Sequence, residues 1–471
     1  MKFKFHLFIA TMVQALNGQS QAFYFGADLS YVHEMEDCGV VYKESGQVKE
    51  VYQIFADHHC NLVRLRLWHT PQWYDGLNAG KRYSDFQDVR QSIMRAKAQG
   101  MKVLLDFHLS DSWADPGHQV VPAAWLGVVD NLPRLKDSLY NYISQTLISL
   151  NSEGLLPEMV QIGNETNRGI LLSPTVDAAG WSLDWNRNSQ LFKGAIQAVR
   201  DVESATGKNI QVALHIAGPS EADWLVAGFW ANGVTDFDVI GLSYYWAWHK
   251  PASITDVGNI VSELRQNYPG KEVMIFETGY PWTLQWEDNA NNIITELNPG
   301  YAPASPDNQR KWLVDMTQTA INKGAKGVVY WEPAWQSSPC WTQWGQGSHQ
   351  EHATFFDFQN NLLAGGGLDF MEFPYQNLSP VEVIENKVNF SVWPDNQVAN
   401  LVIQLQGNSW AEVMDFKLVN ANGELITSRK MHASPGSELH VPIPVLPPGI
   451  YYCSIFDGKV LKATRGVIIH K

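Results

Sequence analysis

The sequence predicts an α/β protein, a (β/α)8 TIM barrel followed by a small C-terminal β-sandwich. Three observations predict it. Eight short apolar runs alternate with amphipathic helical stretches between residues 24 and 331, and eight parallel βα units close a barrel. Glycine or proline punctuates many of the helix ends. Beyond about residue 375 short β-rich runs separated by turn signals take over. The competing arrangement is a doubly wound open sheet. It calls for a Gly-x-Gly-x-x-Gly after the first strand, and none is there.

The elements follow in order. Met1-Lys2-Phe3-Lys4 is basic, residues 5–16 are apolar, and Ser20-Gln21-Ala22 supplies small residues at a cleavage point. That sequence of regions describes a secretory signal peptide over residues 1–22, so the expected location is secreted or cell-surface. Strands are expected at 24–29, 62–67, 102–107, 159–162, 210–215, 239–243, 273–276 and 327–331. Helices are expected at 84–99, 132–151, 186–206, 254–267 and 307–322. The barrel is expected to span 23–374 and the sandwich 375–471. The tail strands are read at 398–405, 416–419, 439–443, 450–456 and 463–469. Pro442, Pro444, Pro447 and Pro448 mark edges and loops among them.

Composition excludes several classes. With 45% hydrophobic and 17% charged residues the chain is not disordered. A formal charge of −14 is a poor surface for a phosphate backbone, so no nucleic-acid partner is expected. No apolar run is long enough to span a bilayer. Only Trp393 and Trp410 of the 19 tryptophans lie in the tail, which leaves the barrel rich in flat faces suited to sugar rings. None of the four cysteines forms a CxxC pair, so zinc is not expected. Cys38 follows strand 1 and Cys340 follows strand 8. Those strands are neighbours in a closed barrel, so if any two cysteines pair it is Cys38 with Cys340.

Barrel active sites sit at the C-terminal ends of the strands. There the sequence places Asp28; Arg64 and Arg66; His108 and Asp111; Asn164 and Glu165; His215; Tyr244; Glu277; and Trp331. Glu165 and Glu277 each follow an apolar strand directly, on strands 4 and 7 across the barrel mouth. Two carboxylates facing one cleft, one protonated and one ionised, are the apparatus of glycoside hydrolysis. Arg66, as an inward arginine, needs a carboxylate partner. His108, His215 and Tyr244 could hydrogen-bond the nucleophile or sugar hydroxyls. A metal reading of His108, Asp111 and Asp115 finds no further ligand in a His-x-His or His-Glu-x-x-His pattern. By position after strands 6, 7 and 8, Trp248, Trp282 and Trp335 are the expected sugar platforms.

The motifs Phe25-Gly26-Ala27-Asp28-Leu29-Ser30, Val63-Arg64-Leu65-Arg66-Leu67-Trp68, Asp106-Phe107-His108 with Trp113-Ala114-Asp115-Pro116, Gly163-Asn164-Glu165 and Glu277-Thr278-Gly279-Tyr280 together resemble glycoside hydrolase family 53. The resemblance covers roughly residues 23–372. It implies a retaining endo-β-1,4-galactanase acting on galactan and arabinogalactan, with Glu165 as acid/base and Glu277 as nucleophile. It also implies Arg66, His108, Asn164, His215, Tyr244 and Trp331 as support, with Asn164 on the sugar 2-hydroxyl. Some members bind calcium between the loops after strands 7 and 8. Here residues 287–292 are short of acids and lack a glycine, so no cofactor is expected, calcium being the one ion the resemblance leaves open. The tail resembles C-terminal sorting domains of type IX secretion cargo at Leu446-Pro447-Pro448-Gly449-Ile450-Tyr451, at Asn420-Ala421-Asn422-Gly423 and at its closing Gly466-Val467-Ile468-Ile469-His470-Lys471, although Trp393-Pro394-Asp395-Asn396 stands where the usual start motif would. An accessory sandwich without a sorting role is the alternative. The expected enzyme is a monomer. A mannanase or cellulase of the same clan, or a non-catalytic galactan-binding protein, are the competing readings.

Overall fold

The computed structural model describes residues 23–176 and 183–376, and in the tail 389–395, 400–406, 413–420, 425–432, 438–457 and 460–469. The expected signal peptide, Trp410 and the last three residues of the Asn420-Ala421-Asn422-Gly423 stretch lie outside the described residues. Two units emerge, residues 23–378 and 379–471. Tyr375 stacks on Phe25 with ring centroids 5.7 Å apart, which carries the first unit past the expected limit of 374.

Eight parallel strands form a closed barrel: β1 (Tyr24–Asp28), β2 (Leu62–Leu67), β3 (Lys102–Phe107), β4 (Met159–Ile162), β5 (Gln211–Ala217), β6 (Val239–Ser243), β7 (Glu272–Glu277) and β8 (Gly327–Tyr330). β1 pairs with both β2 and β8, which seals the ring. The interior is layered by the two-residue period of a strand. Leu62, Leu104, Met159, Ala213, Val239, Met274 and Val329 fill the lower layer with Tyr24. Two residues further along, Arg64, Asp106, Gln161 and His215 make the layer above polar. Gly241 also lies there because a Cβ would meet the Phe276 ring at 2.2 Å.

The helical layer starts where the sequence supplies caps. Asp85 accepts from the backbone N–H of Gln87 and Asp88 ahead of Phe86–Ala98. Asn131 and Asp184 cap Leu132–Ser152 and Trp185–Thr206. Ser253 and Asp256 form a capping box on Ile254–Asn267, and Ser305 precedes Pro306–Asn322 with proline in the first turn. The helix Ala222–Ala231 was not expected; it is apolar around most of its circumference and lacks a helical stripe. No helix among the described residues is long and apolar enough to cross a membrane.

Cys38 is bonded to Cys340, with Cα atoms 5.6 Å apart, as the adjacency of first and last strands requires. Cys60 and Cys453 are free and buried. Cross-linking so long a loop stabilises by up to about 5 kcal/mol in the chain-entropy model.

In the tail, β9 (Asn389–Asp395), β10 (Asn400–Gln406) and β13 (Glu438–Pro442) form one antiparallel sheet in the order β9-β10-β13. A second, antiparallel, runs β12 (Leu425–His432), β11 (Val413–Asn420), β14 (Gly449–Asp457), β15 (Val460–Ile469). Alternate residues from both sheets, such as Leu401 and Ile403, Phe416 and Leu418, and Cys453 and Ile455, share one apolar cluster. β9 and β12 were not expected. The first carries Pro394, and the second is polar along most of its length.

Candidate active site

The strand ends open into a cleft of about 560 Å3 lined by Glu165 and Glu277 among others. Glu165 reaches it through a tight turn after β4. Gly163 has φ +72°, and a Cβ there would lie 2.7 Å from the Thr166 methyl, so only glycine fits. Glu165 itself is left-handed, φ 45°, an uncommon state for a non-glycine residue. The Gln119 amide fastens this turn by donating to the carbonyls of Asn164 at 2.8 Å and Asp115 at 3.0 Å.

Glu277 arrives by a different device. On β7 the interior positions are Met274 and Phe276, so strict alternation would turn Glu277 outward. The β6–β7 register slips by one residue, pairing Leu242 with Ile275 and Ser243 with Glu277. That bulge re-aims the carboxylate into the barrel. One Glu277 oxygen then lies 2.8 Å from Arg64, and the other accepts from the Tyr245 hydroxyl at 3.1 Å.

Arg64 is the hub. Its buried guanidinium also meets Asp28 at 2.8 Å, Asp106 at 3.3 Å, Gln161 at 3.0 Å and Asn164 at 2.7 Å. A buried cation is tolerated on these terms, paired with three carboxylates and two amide oxygens.

These surroundings separate the two carboxyls. Burial pushes both upward from the usual range. For Glu165 the neighbouring charge of Glu277 pushes further the same way. For Glu277 the Arg64 guanidinium and the Tyr245 hydroxyl pull back down. The geometry therefore favours Glu165 as the protonated partner and Glu277 as the ionised one.

Several expected residues fall into this network. Asp28 and Asn164 bind Arg64. His215 Nδ1 lies 2.8 Å from Asn164 Oδ1, and burial keeps the ring neutral, far below its usual range. His108 joins Asp106 at 2.7 Å and accepts the Ala114 N–H at 2.8 Å, so it anchors the loop after β3. Trp331 lines the cleft, and so does Trp248, which is half exposed.

Others require correction. Arg66 has its carboxylate, but that is Glu332 at 3.0 Å, and the guanidinium is caged by Tyr31, Trp68 and Trp113. Arg64, one layer deeper, holds Glu277 instead. Tyr244 points away: its hydroxyl donates to the Ala252 carbonyl at 2.9 Å, and Tyr245 is the residue on Glu277. Asp111 accepts the N–H groups of Thr70 and Ala123, each at 2.8 Å, and does not line the cleft. Trp282 packs on Phe358 and donates its indole N–H to the Glu351 carbonyl, away from the cleft wall. Trp335 touches the cleft but is buried and stacked 3.9 Å from Tyr31, which leaves no free face. Trp344, 43% exposed and part of the tryptophan-rich loop after β8 that the sequence offers as a sugar platform, lines the cleft, as does Trp113, which was not expected there. The stretch 287–292 is tied to the loop after β8, where Asp288 accepts the Ser348 N–H at 2.7 Å and Glu351 the Glu287 N–H at 2.9 Å.

Comparison with known proteins gives consistent matches. The sequence model of Glycosyl hydrolase family 53 matches residues 24–368. An arabinogalactan endo-beta-1,4-galactanase of Cellvibrio japonicus is 45% identical over 362 residues, covering 76% of this chain and 93% of the relative. An endo-beta-1,4-galactanase of Bacillus subtilis is 33% identical, covering 73% and 80%. Among solved structures, a catalytic domain from Ignisphaera aggregans superposes with a TM-score of 0.66 at 32% identity, covering 76% of this chain and 98% of that one.

Proposed function

The chain belongs to glycosyl hydrolase family 53, and from that premise we propose a division of labour among the residues of its cleft. The protein is a retaining endo-glycosidase that cleaves β-1,4-galactosidic bonds in galactan and arabinogalactan by double displacement. Glu277 attacks the anomeric carbon and forms the glycosyl-enzyme. Glu165 gives its proton to the departing glycosidic oxygen, then takes one from the water that releases the sugar. The observation carrying this assignment is the unequal environment of the pair: Glu277 has Arg64 and Tyr245 on its two oxygens, and among the described residues no cation pairs with Glu165. Asn164 commits its Oδ1 to Arg64 and one Nδ2–H to the Ala114 carbonyl, so a second Nδ2–H is left for the sugar 2-hydroxyl.

Leaving-group dependence tests the assignment. Glu165→Ala should slow galactan hydrolysis by about 10²- to 10⁴-fold. A dinitrophenyl galactoside needs no protonation on departure and should lose far less in kcat/KM. Equal losses on both substrates would remove the acid role from Glu165.

Trp248 and Trp344 offer exposed faces beside the cleft and serve as sugar platforms in this reading. Trp248→Ala and Trp344→Ala should each raise KM roughly tenfold, the worth of one ring contact. Trp312→Ala, in the core, should instead lower the melting temperature and leave KM in place.

The two tail sheets are read as a β-sandwich of the sorting kind, and residues 1–22 as the export signal, giving a secreted or surface-held monomer. Locating the full chain and a 1–378 truncation in cell fractions tests this: retention of the truncated enzyme at the same site would leave the tail without a sorting role.

A further inference from the structure

The loop after β8 carries a short hairpin, Trp341–Thr342 paired antiparallel with Gly345–Gln346, and Trp344 sits at its tip. A hairpin of two residue pairs does not hold itself in water, so its place depends on what grips it from outside. At its root Cys38 is bonded to Cys340. At its tip the Gln343 amide donates to the Ser112 hydroxyl, after β3. Between root and tip stands Asn78, from the loop after β2.

Asn78 behaves as a third strand one residue long. The Gly347 N–H donates to the Cys340 carbonyl at 3.0 Å, one step below the Trp341–Gln346 pair. Hydrogen-bonded and open pairs alternate along an antiparallel ladder, so the N–H and C=O of Trp341 turn outward, away from their partner strand. Asn78 takes both. Its Oδ1 accepts the Trp341 N–H at 2.8 Å, and its Nδ2 donates to the Trp341 carbonyl at 2.7 Å. A backbone donor and a backbone acceptor cannot trade roles, which fixes the amide the right way round. The other Nδ2 proton goes to Glu34 Oε1 at 3.0 Å, and Glu34 is itself buried and holds the Tyr74 hydroxyl at 2.7 Å. Asn78 has φ 44°, a left-handed state that asparagine enters more readily than most residues.

What the hairpin carries is a wall of the cleft. The Trp344 ring meets Trp73 edge-on at 5.7 Å and Trp113 at 6.3 Å, and Trp344 and Trp113 both line the cleft. Trp73 is fastened in turn through its indole N–H to the Asp111 carbonyl at 2.9 Å. Loops after β2, β3 and β8 thus supply one ring each, and the one from β8 arrives on the least self-supporting element.

We propose that Asn78 is a positioning residue for galactan binding: by completing the outer edge of the hairpin at Trp341, it sets the face of Trp344, three residues on, against the cleft. The proposal rests on the reading of Trp344 as a sugar platform. Asn78 does not line the cleft, so it acts through the hairpin backbone and not on the sugar.

Steady-state kinetics on galactan test it. Asn78→Gly removes the amide and keeps a residue at ease in the left-handed backbone. KM should rise about fivefold, the worth of one net hydrogen bond. The turnover number should stay within about twofold of the wild type, since the carboxylate pair and Arg64 are untouched. Combined with Trp344→Ala, the change should add nothing, because the hairpin then has no ring left to aim; two positions acting through one contact show this non-additivity in a double-mutant cycle. A folded Asn78→Gly enzyme with wild-type KM overturns the proposal, and so do two effects on KM that multiply, as they would if Asn78 merely steadied the fold. If the glycine variant does not fold, Asn78→Asp serves. It keeps the acceptor for the Trp341 N–H and turns an oxygen onto the Trp341 carbonyl, so KM should rise again, and an unchanged KM overturns the proposal. Trp344→Ala alone separates the two readings. Wild-type KM in that variant sinks the platform and this proposal together; a raised KM there, with none in Asn78→Gly, sinks this proposal alone.

Discussion

Glu277→Ala is expected to abolish galactan hydrolysis, by about 10⁴-fold or more, in a protein that still folds. Arg64 keeps Asp28 and Asp106 as partners after the change, so no buried cation is stranded. The chemistry fails because no carboxylate remains to bond the anomeric carbon. Mass spectrometry with a slow 2-fluoro galactoside checks this. The wild type should gain one covalent sugar on the peptide carrying Glu277, and the variant none. Azide should partly restore turnover and give the α-galactosyl azide, since it enters where Glu277 stood. Labelling of any other residue in the wild type would remove the nucleophile's role from Glu277.

Arg64→Met should be the most damaging change that leaves both carboxyls in place. It leaves Asp28, Asp106 and Glu277 without the guanidinium that all three share, and an uncompensated buried charge costs about 3–5 kcal/mol. Differential scanning calorimetry should show the loss. The activity profile should change as well. Arg64 holds Glu277 down against burial, so without it Glu277 takes up a proton at higher pH. The sign follows: activity needs the carboxylate, falls as pH drops through this value, and should fall earlier in the variant. Arg66→Met takes a cation from Glu332 and from its aromatic cage but none from Glu277, and should leave that acid limb where it is. A shift of equal size in both variants would mean that Arg64 has no special hold on Glu277.

The barrel was legible because each of its strands is a short apolar run ended by a turn, and every observed end agrees with the expected one within two residues, β5, which runs on to Ala217, differing most. The carboxylate pair was legible for the same reason, since it needs only the ends of β4 and β7. What failed was the depth and direction of side chains around it. Leu62, Arg64 and Arg66 all face inward on β2, and alternation gives the face but not the layer, so the rim arginine was chosen over the deeper one. Alternation from Val239 through Gly241 and Ser243 points to Tyr245, and following it would have avoided Tyr244. No such count gives the direction of Glu277, which comes from a register slip between two strands that neither sequence announces. The tryptophans fared worst. Position after a strand places Trp282 and Trp335 near the rim, but Trp282 is held on Phe358 and the Glu351 carbonyl away from the cleft, and Trp335 is stacked under Tyr31, contacts made across separate loops.

The bond between Cys38 and Cys340 gives the catalytic unit a topology that a linear chain lacks. The 302 positions separating the two cysteines close into a covalent circle, and both Glu165 and Glu277 lie on it. A protease that nicks one loop of the circle opens it without dividing it. The two carboxylates stay on one molecule, and the severed ends remain beside each other on a barrel whose strands are still paired. Shedding a fragment takes a second cut or a reductant. One cut inside the circle therefore leaves the catalytic unit in one piece.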